Sequence, residues 1–263
     1  SRERFTMDDG FCDTVTLAAP MLESYGWRGT FFVVIRPIIE KHIHQSSWRK
    51  WREVARRGHE VASHSWTHQR LKDVKDPAVY HKELHDSKEM IAKKTGIAPL
   101  TFAYPGCAYD QASKTEVMKY YITARAYTNV YGRGKKAGKN WHPVNAINDI
   151  KKKVSEHGWH VALIHNIGRS IGYRPTTPED FRQILDYVKN REKELWVDTY
   201  ANVALYKKAR EDAKIVVLGT EKNSITFKLA LNEKWNSQLP RPYLTVKIPL
   251  KNKPEIIWFN NYV

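Results

Sequence analysis

Asp8 and Asp9 stand side by side in "FTMDDG", after a short apolar run and before Gly10. Like charges that close repel, so each carboxylate needs water or a cation. His64 and His68 stand four apart in "HSWTH", and His165 closes the apolar run "ALIH". Two imidazoles and one carboxylate make a three-ligand metal site with open positions. Zinc held that way lowers the pKa of bound water towards neutrality and polarises a carbonyl. The roles then divide. Asp9 ligates the metal, Asp8 is general base on the metal-bound water, and His165 protonates a leaving group from across the mouth. Such a set suits hydrolysis of acyl bonds. Turn carboxylates and core or surface histidines would explain each residue singly, but together they need several coincidences.

These groups are far apart in sequence, so regular elements must gather them. "FTMDDG" ends a strand, and "VTLAAPMLESYG" is a helix stopped at Gly26. "GTFFVVI" is a buried strand, "SSWRKWREVARRG" a Ser-capped helix, and "HEVASH" a short strand. "DPAVYHKELHDSKEMIAKKTG" is a long helix, "LTFAYPG" a strand, "ASKTEVMKYY" a helix and "ITARAYT" a strand. "NVYGRGKKAGKNWHPVNAIND" is rich in Gly and Lys and reads as a long loop. "WHVALIHNIG" and "LWVDTY" are strands around the Thr-capped helix "TPEDFRQILDYVKNREKE", and "ANVALYKKAREDA" closes the series. About seven alternations imply parallel strands covered by helices, closed as a barrel or partial barrel. In such folds functional groups gather at the C-terminal strand ends. That rule selects Asp8 and Asp9, His64 and His68, the turn Tyr104-Pro105-Gly106, and His165. A second HxxxH, His81 and His85 in "HKELH", lies in mid-helix without a strand-end carboxylate. It reads as a solvated helix face. The last part, with "NSITFKLAL", "YLTVKIPL" and "EIIWFN", alternates apolar and polar residues, as a small antiparallel β appendage does.

The 263 residues allow one large domain, or a medium domain with an appendage. No run approaches 18 uncharged apolar residues, so no membrane span is expected. No signal peptide is visible, and a first strand that begins so early suggests a trimmed chain, which leaves compartment open. A net charge of +16, from 44 Lys and Arg against 28 Asp and Glu, favours anionic partners. The basic residues are scattered and no nucleic-acid-binding motif is present, so nucleic acid is not an expected partner. Cys12 and Cys107 have no zinc spacing. They would form a disulfide only if both loops rim one mouth with Cα atoms within about 7 Å, and a bond is not expected.

The motifs resemble those of the polysaccharide deacetylases, carbohydrate esterase family 4 (the NodB-homology domain). "FTMDDG" resembles the family's TFDDG, "HSWTH" its H[ST]xxH, and "FAYPG" its third motif in the FAYP form of one subgroup. "ALIHN" resembles its closing leucine and histidine. The resemblance covers about residues 5 to 206, in the family's order. It implies a deformed (β/α)7-type barrel over residues 1–210, with residues 211–263 a small β module of unknown role. It implies a divalent metal, usually zinc, on Asp9, His64 and His68, with Asp8 as base and His165 as acid. The N–H of Gly106, with Tyr104 beside it, would hold the oxyanion, and Leu163 would line the pocket for the acetyl methyl. The reaction implied removes N- or O-linked acetyl groups from an acetylated glycan, by a protein that is secreted, periplasmic or on the cell surface. Trp141 in "KNWHP" is a candidate sugar-stacking wall. Two departures stand out. The family's third motif often begins with an arginine that pairs with the base, yet no arginine lies between Gly96 and Gly106. No match is found for the DxxDW motif whose carboxylate orients the acid histidine. A non-catalytic glycan-binding protein and a glycosidase on a similar barrel are the alternatives. The glycosidase would need two carboxylates flanking a sugar bond.

Overall fold

The computed structural model describes residues 1–126, 143–169, 171–221, 224–230, 246–248 and 255–257. Its centre is β1 (Arg2–Met7), a strand that alternates sharply. Phe5 and Met7 point to one face and Arg4, Thr6 and Asp8 to the other, as the two-residue period of a strand requires. β2 (Thr30–Val33), β3 (Glu60–Ser63), β4 (Thr101–Ala103) and β5 (Thr123–Arg125) follow outward from β1 on one side. β6 (Trp159–Ile164) pairs with β1 along its whole length on the other edge. β2 meets β1 only at Thr6 and Met7, and β7 (Trp196–Val197) takes Arg2 and Glu3 of that same edge. Every pairing in the sheet is parallel. The sheet is a half-barrel surrounded by helices, consistent with the expected deformed (β/α) barrel.

The helices are α1 (Ala19–Ser24), α2 (Ile35–Ile39), α3 (Trp48–Arg56), α4 (Pro77–His81), α5 (Ser87–Thr95), α6 (Gln111–Val117), α7 (Pro143–Ser155), α8 (Pro178–Lys189) and α9 (Tyr200–Asp212). Side-chain caps start several of them. Ser47 accepts from the Lys50 N–H, Asp76 from Ala78, and Thr177 from Asp180, which satisfies donors that a helix start leaves unpaired. Between sheet and helices lies the larger core, with Phe5, Met7, Phe31, Trp51, Ile164 and Phe181 at most 1% exposed. Each such side chain stabilises the fold by about 1.5–3 kcal/mol. The inner face carries a smaller cluster, Phe32, Ala62 and Ala103, with Tyr200 packed against it. Small residues at Ala62 and Ala103 leave that face room for polar groups.

One expectation needs correction. α7 starts at Pro143, inside the stretch that reads as a loop up to Asp149. Pro143 presets the first helical φ, and Ala146 and Ile150 bury one face. The Gly- and Lys-rich residues upstream mask that short period. α2 leaves no sequence period because it is a single turn. No helix among the described residues is long and apolar enough to cross a membrane.

The chain divides into two compact units, Ser1–Ala201 and Asn202–Val263. The second contains two antiparallel pairs, β8 (Lys214–Glu221) with β9 (Ser224–Ala230), and β10 (Val246–Ile248) with β11 (Glu255–Ile257). β8 lies outside the strands that the sequence indicates.

On the inner face Glu60 is a buried carboxyl with three donors. Thr30 Oγ1 donates at 2.8 Å, Thr101 Oγ1 at 2.5 Å and the Ala201 N–H at 2.9 Å. Burial nonetheless outweighs these bonds and raises its pKa above the usual carboxylate range. The folded chain therefore keeps this proton longer than the unfolded chain, and stability falls as pH rises from the unfolded pKa to the folded one. Urea midpoints measured from pH 4 to pH 8 are expected to decline more steeply in the wild type than in Glu60→Gln. Equal slopes would contradict the assignment.

Candidate active site

The turn after β1 aims its two carboxylates differently. The Asp8 N–H still donates to the Ile164 carbonyl at 2.9 Å, so Asp8 belongs to the sheet and is 3% exposed. Asp9 (φ 70°) and Gly10 (φ 78°) then adopt left-handed backbone. At Gly10 a Cβ would meet Gln45 Oε1 at 3.0 Å and Val33 beyond it, so the turn needs glycine for φ and for space.

Asp8 Oδ2 forms a buried ion pair with Arg125 Nη2. This arginine answers the missing third-motif residue, and it comes from β5. The signal in the sequence was one arginine within the apolar strand "ITARAYT". β5 lies four strands from β1. In a flat sheet that separation is about 19 Å, well beyond an arginine's reach. The pair closes because the sheet curls and both side chains project into the same interior, with the guanidinium over Phe32 at 5.2 Å. Burial alone would push the Asp8 carboxyl up. The charge of Arg125 outweighs it and, with its hydrogen bond, holds the carboxyl below its ordinary range. Asp8 Oδ1 is buried and has no hydrogen-bond partner among the described residues.

His64 follows β3 and is 2% exposed. Its Nδ1 donates to the Ala103 carbonyl at 2.8 Å, which leaves the Nε2 lone pair for the interior. Burial pushes its pKa down to about 3, so the ring is neutral and able to ligate. The chain then turns through two more left-handed residues, Ser65 (φ 72°) and His68 (φ 69°). Each costs about 1–2 kcal/mol. A local set of bonds offsets this. Ser63 Oγ accepts from the Ser65 N–H at 3.1 Å and Ser65 Oγ from the His68 N–H at 2.9 Å. Glu83, 1% exposed, accepts from the Trp66 and Thr67 N–H groups at 3.0 and 2.9 Å, and from Thr67 Oγ1 at 2.6 Å. It sits on a π-helical turn, Lys82–Asp86, between α4 and α5. Glu83 is a positioning residue that the sequence alone did not single out.

Asp9 Oδ1 lies 3.6 Å from His64 Nε2 and 3.4 Å from His68 Nε2. The three donor atoms lie within 4.8 Å of one another. Ligands at about 2.0–2.2 Å from a tetrahedral zinc are about 3.3–3.6 Å apart, so this donor set fits such an ion. Burial, with the charge of Asp8 adding to it, pushes the Asp9 carboxyl up to about 6. A cation beside it would reverse that shift.

His165 follows β6 and is half-buried, within electrostatic reach of both carboxyls. Its ring stands edge-on to Tyr173 at 5.3 Å. Its Nδ1 has no partner among the described residues, so the expected carboxylate remains unmatched there. The segment after it is anchored instead. Asn166 Nδ2 donates to the Arg169 and Ile171 carbonyls at 3.2 and 3.3 Å, and Arg169 clamps Asp13 at 2.6–2.8 Å. Asp13 follows the Asp8-Asp9 turn, so the two strand ends are tied together. Leu163 is 1% exposed and lies outside the outer core that takes Ala162 and Ile164. Gly106 (φ 61°) is exposed beside Arg70. Tyr104 does not join the mouth. Its ring is 4% exposed in a core cluster with Phe102 and Tyr121, on the outer side of β4, because Ala103 takes the inner position. Trp141 lies outside the described residues. Cys12 and Cys107 are not joined by a disulfide.

Known proteins resemble this chain to differing extents. The polysaccharide deacetylase family model matches residues 4–125, which hold Asp8, Asp9, His64, His68, Gly106 and Arg125. A gellan lyase from a Bacillus species is 27% identical over 92% of this chain, and this chain spans 11% of it. YxkH of Bacillus subtilis (strain 168), named as a candidate polysaccharide deacetylase, is 28% identical over 40% of this chain and 37% of its own length. The fold is that of the peptidoglycan deacetylase PdaC from Bacillus subtilis, with a TM-score of 0.57 at 18% identity, over 80% of this chain and 93% of that one. Over residues 4–125, a little under half of its length, the chain is similar to the polysaccharide deacetylase family.

Proposed function

We propose that this chain is a metal-dependent carbohydrate deacetylase, a hydrolase that removes N- or O-linked acetyl groups from a polysaccharide or oligosaccharide outside the cytoplasm. The observation that carries it is the buried Asp8, with one oxygen held by Arg125 and the other unpaired, beside the donor set of Asp9, His64 and His68. The deacetylase names of two relatives agree with this reading. The lyase name belongs to a far longer protein and is not carried over.

Asp9, His64 and His68 would hold a divalent cation, zinc by its fit to N and O donors, which would supply Lewis acidity to the acetyl carbonyl and to water. Asp8 takes the attacking water's proton at Oδ1. Arg125 on Oδ2 keeps that carboxyl ionised until then. His165 delivers a proton to the departing amine or alcohol. The Gly106 N–H donates to the oxyanion, and Leu163 packs on the acetyl methyl. Glu83 holds the loop between the two histidines.

Acetate release from acetylated oligosaccharides is expected, lost on chelation and restored by zinc. Oligosaccharide binding without acetate release, or reducing ends in its place, would overturn the assignment. Asp8→Asn is expected to lose about 10²–10⁴-fold in kcat, and undiminished release would remove Asp8 as base. Arg125→Ala raises the Asp8 pKa, so the acid limb of the kcat profile moves to higher pH, with Arg125→Lys restoring part of the shift. It also leaves a buried charge unpaired, costing about 3–5 kcal/mol in urea unfolding. An unmoved acid limb would show that Arg125 serves stability alone.

A further inference from the structure

The π-helical turn Lys82–Asp86 has two faces. The inner one carries Glu83, which grips the Trp66 and Thr67 backbone. The outer one carries His85 and Asp86, next to His81 at the end of α4. In a regular α-helix Asp86 would point about 100° away from its neighbour His85. A π-turn bonds residue i to i+5, which brings Asp86 round to the face of His81. The result is convergent. His85 Nδ1 lies 3.0 Å and His81 Nδ1 3.4 Å from the same oxygen, Asp86 Oδ1. The three donor atoms lie within 4.8 Å of one another, and the two imidazoles, stacked at 4.2 Å, would turn about χ2 to aim both lone pairs at one ion. These spacings are close to the roughly 3.3–3.6 Å between ligands of a tetrahedral zinc. The side chains are 41–54% exposed, which leaves positions open to water.

We infer that His81, His85 and Asp86 form a second cation site, for a divalent transition metal of the zinc class. Two imidazoles and one carboxylate favour such an ion over magnesium or calcium. The ion ties together both ends of the turn that carries Glu83, and so braces the loop that presents His68. The inference does not depend on the proposed reaction.

The test uses the His64→Ala, His68→Ala variant, which lacks two donors of the first group. Titration with zinc chloride is expected to give one ion per chain and a rise in Tm, with no response to magnesium chloride. Adding His81→Ala and His85→Ala should abolish both effects, and Asp86→Asn should weaken binding at least tenfold. No zinc binding by a variant with the wild type's circular dichroism, or binding indifferent to His81 and His85, would overturn the site. Should the first variant fail to fold, metal content decides. Two zinc ions in the wild type and one in His81→Ala, His85→Ala support the site, and equal content in both overturns it. Acetate release, scored separately, reports on the first group.

Discussion

The ion pair between Asp8 and Arg125 is a chord across the barrel interior. It joins the first strand to one four places away in the sheet, and it exists only while the sheet is curled. Geometry and electrostatics therefore constrain each other. The curl brings the guanidinium to the carboxylate, and the pair is buried by the same interior that it helps to define. Losing either partner strands a charge in a medium that tolerates charge poorly. The inner face accommodates the pair by keeping Ala62 and Ala103 small and by placing the ring of Phe32 under the guanidinium.

Two adjacent aspartates can share one turn because their surroundings differ so strongly. Asp8 remains within the sheet, faces an arginine and stays ionised. Asp9, one residue on and in left-handed backbone, faces two imidazoles and is driven towards neutrality unless a cation joins it. The same division of labour recurs on the π-helical turn, where Glu83 turns inward to backbone N–H groups and Asp86 outward to histidines. In both places one backbone irregularity separates two neighbouring acidic groups.

What could be read in the sequence was whatever obeys local rules. Strand ends, caps and the HxxxH of "HSWTH" announce themselves within a few residues, and the rule that strand ends gather function placed Asp8, Asp9, His64 and His165 at one mouth. The partner of Asp8 was invisible because 117 residues separate it from Arg125, and only the curl of the sheet relates them. Tyr104 was misjudged by a single step of alternation. A strand turns each successive side chain to the opposite face, and Ala103 holds the inner one. Asp86 escaped notice for a parallel reason. Helical spacing assumes 3.6 residues per turn, and a π-turn breaks that count.

The central position of β1 also bears on how the chain is made. β1 pairs at Arg2 through Met7 with residues 159 to 164 on one edge. On its other edge, Arg2 and Glu3 pair with Trp196 and Val197. During synthesis one whole edge of β1 stays open until residues 159 to 164 follow, and its other edge is completed later still, by residues 196 and 197. Contacts so distant in sequence make for slow assembly. A nascent strand with open edges is also a template for pairing with other chains. The charged residues Arg2, Glu3 and Arg4, costly to bury in the finished molecule, guard that strand while it waits.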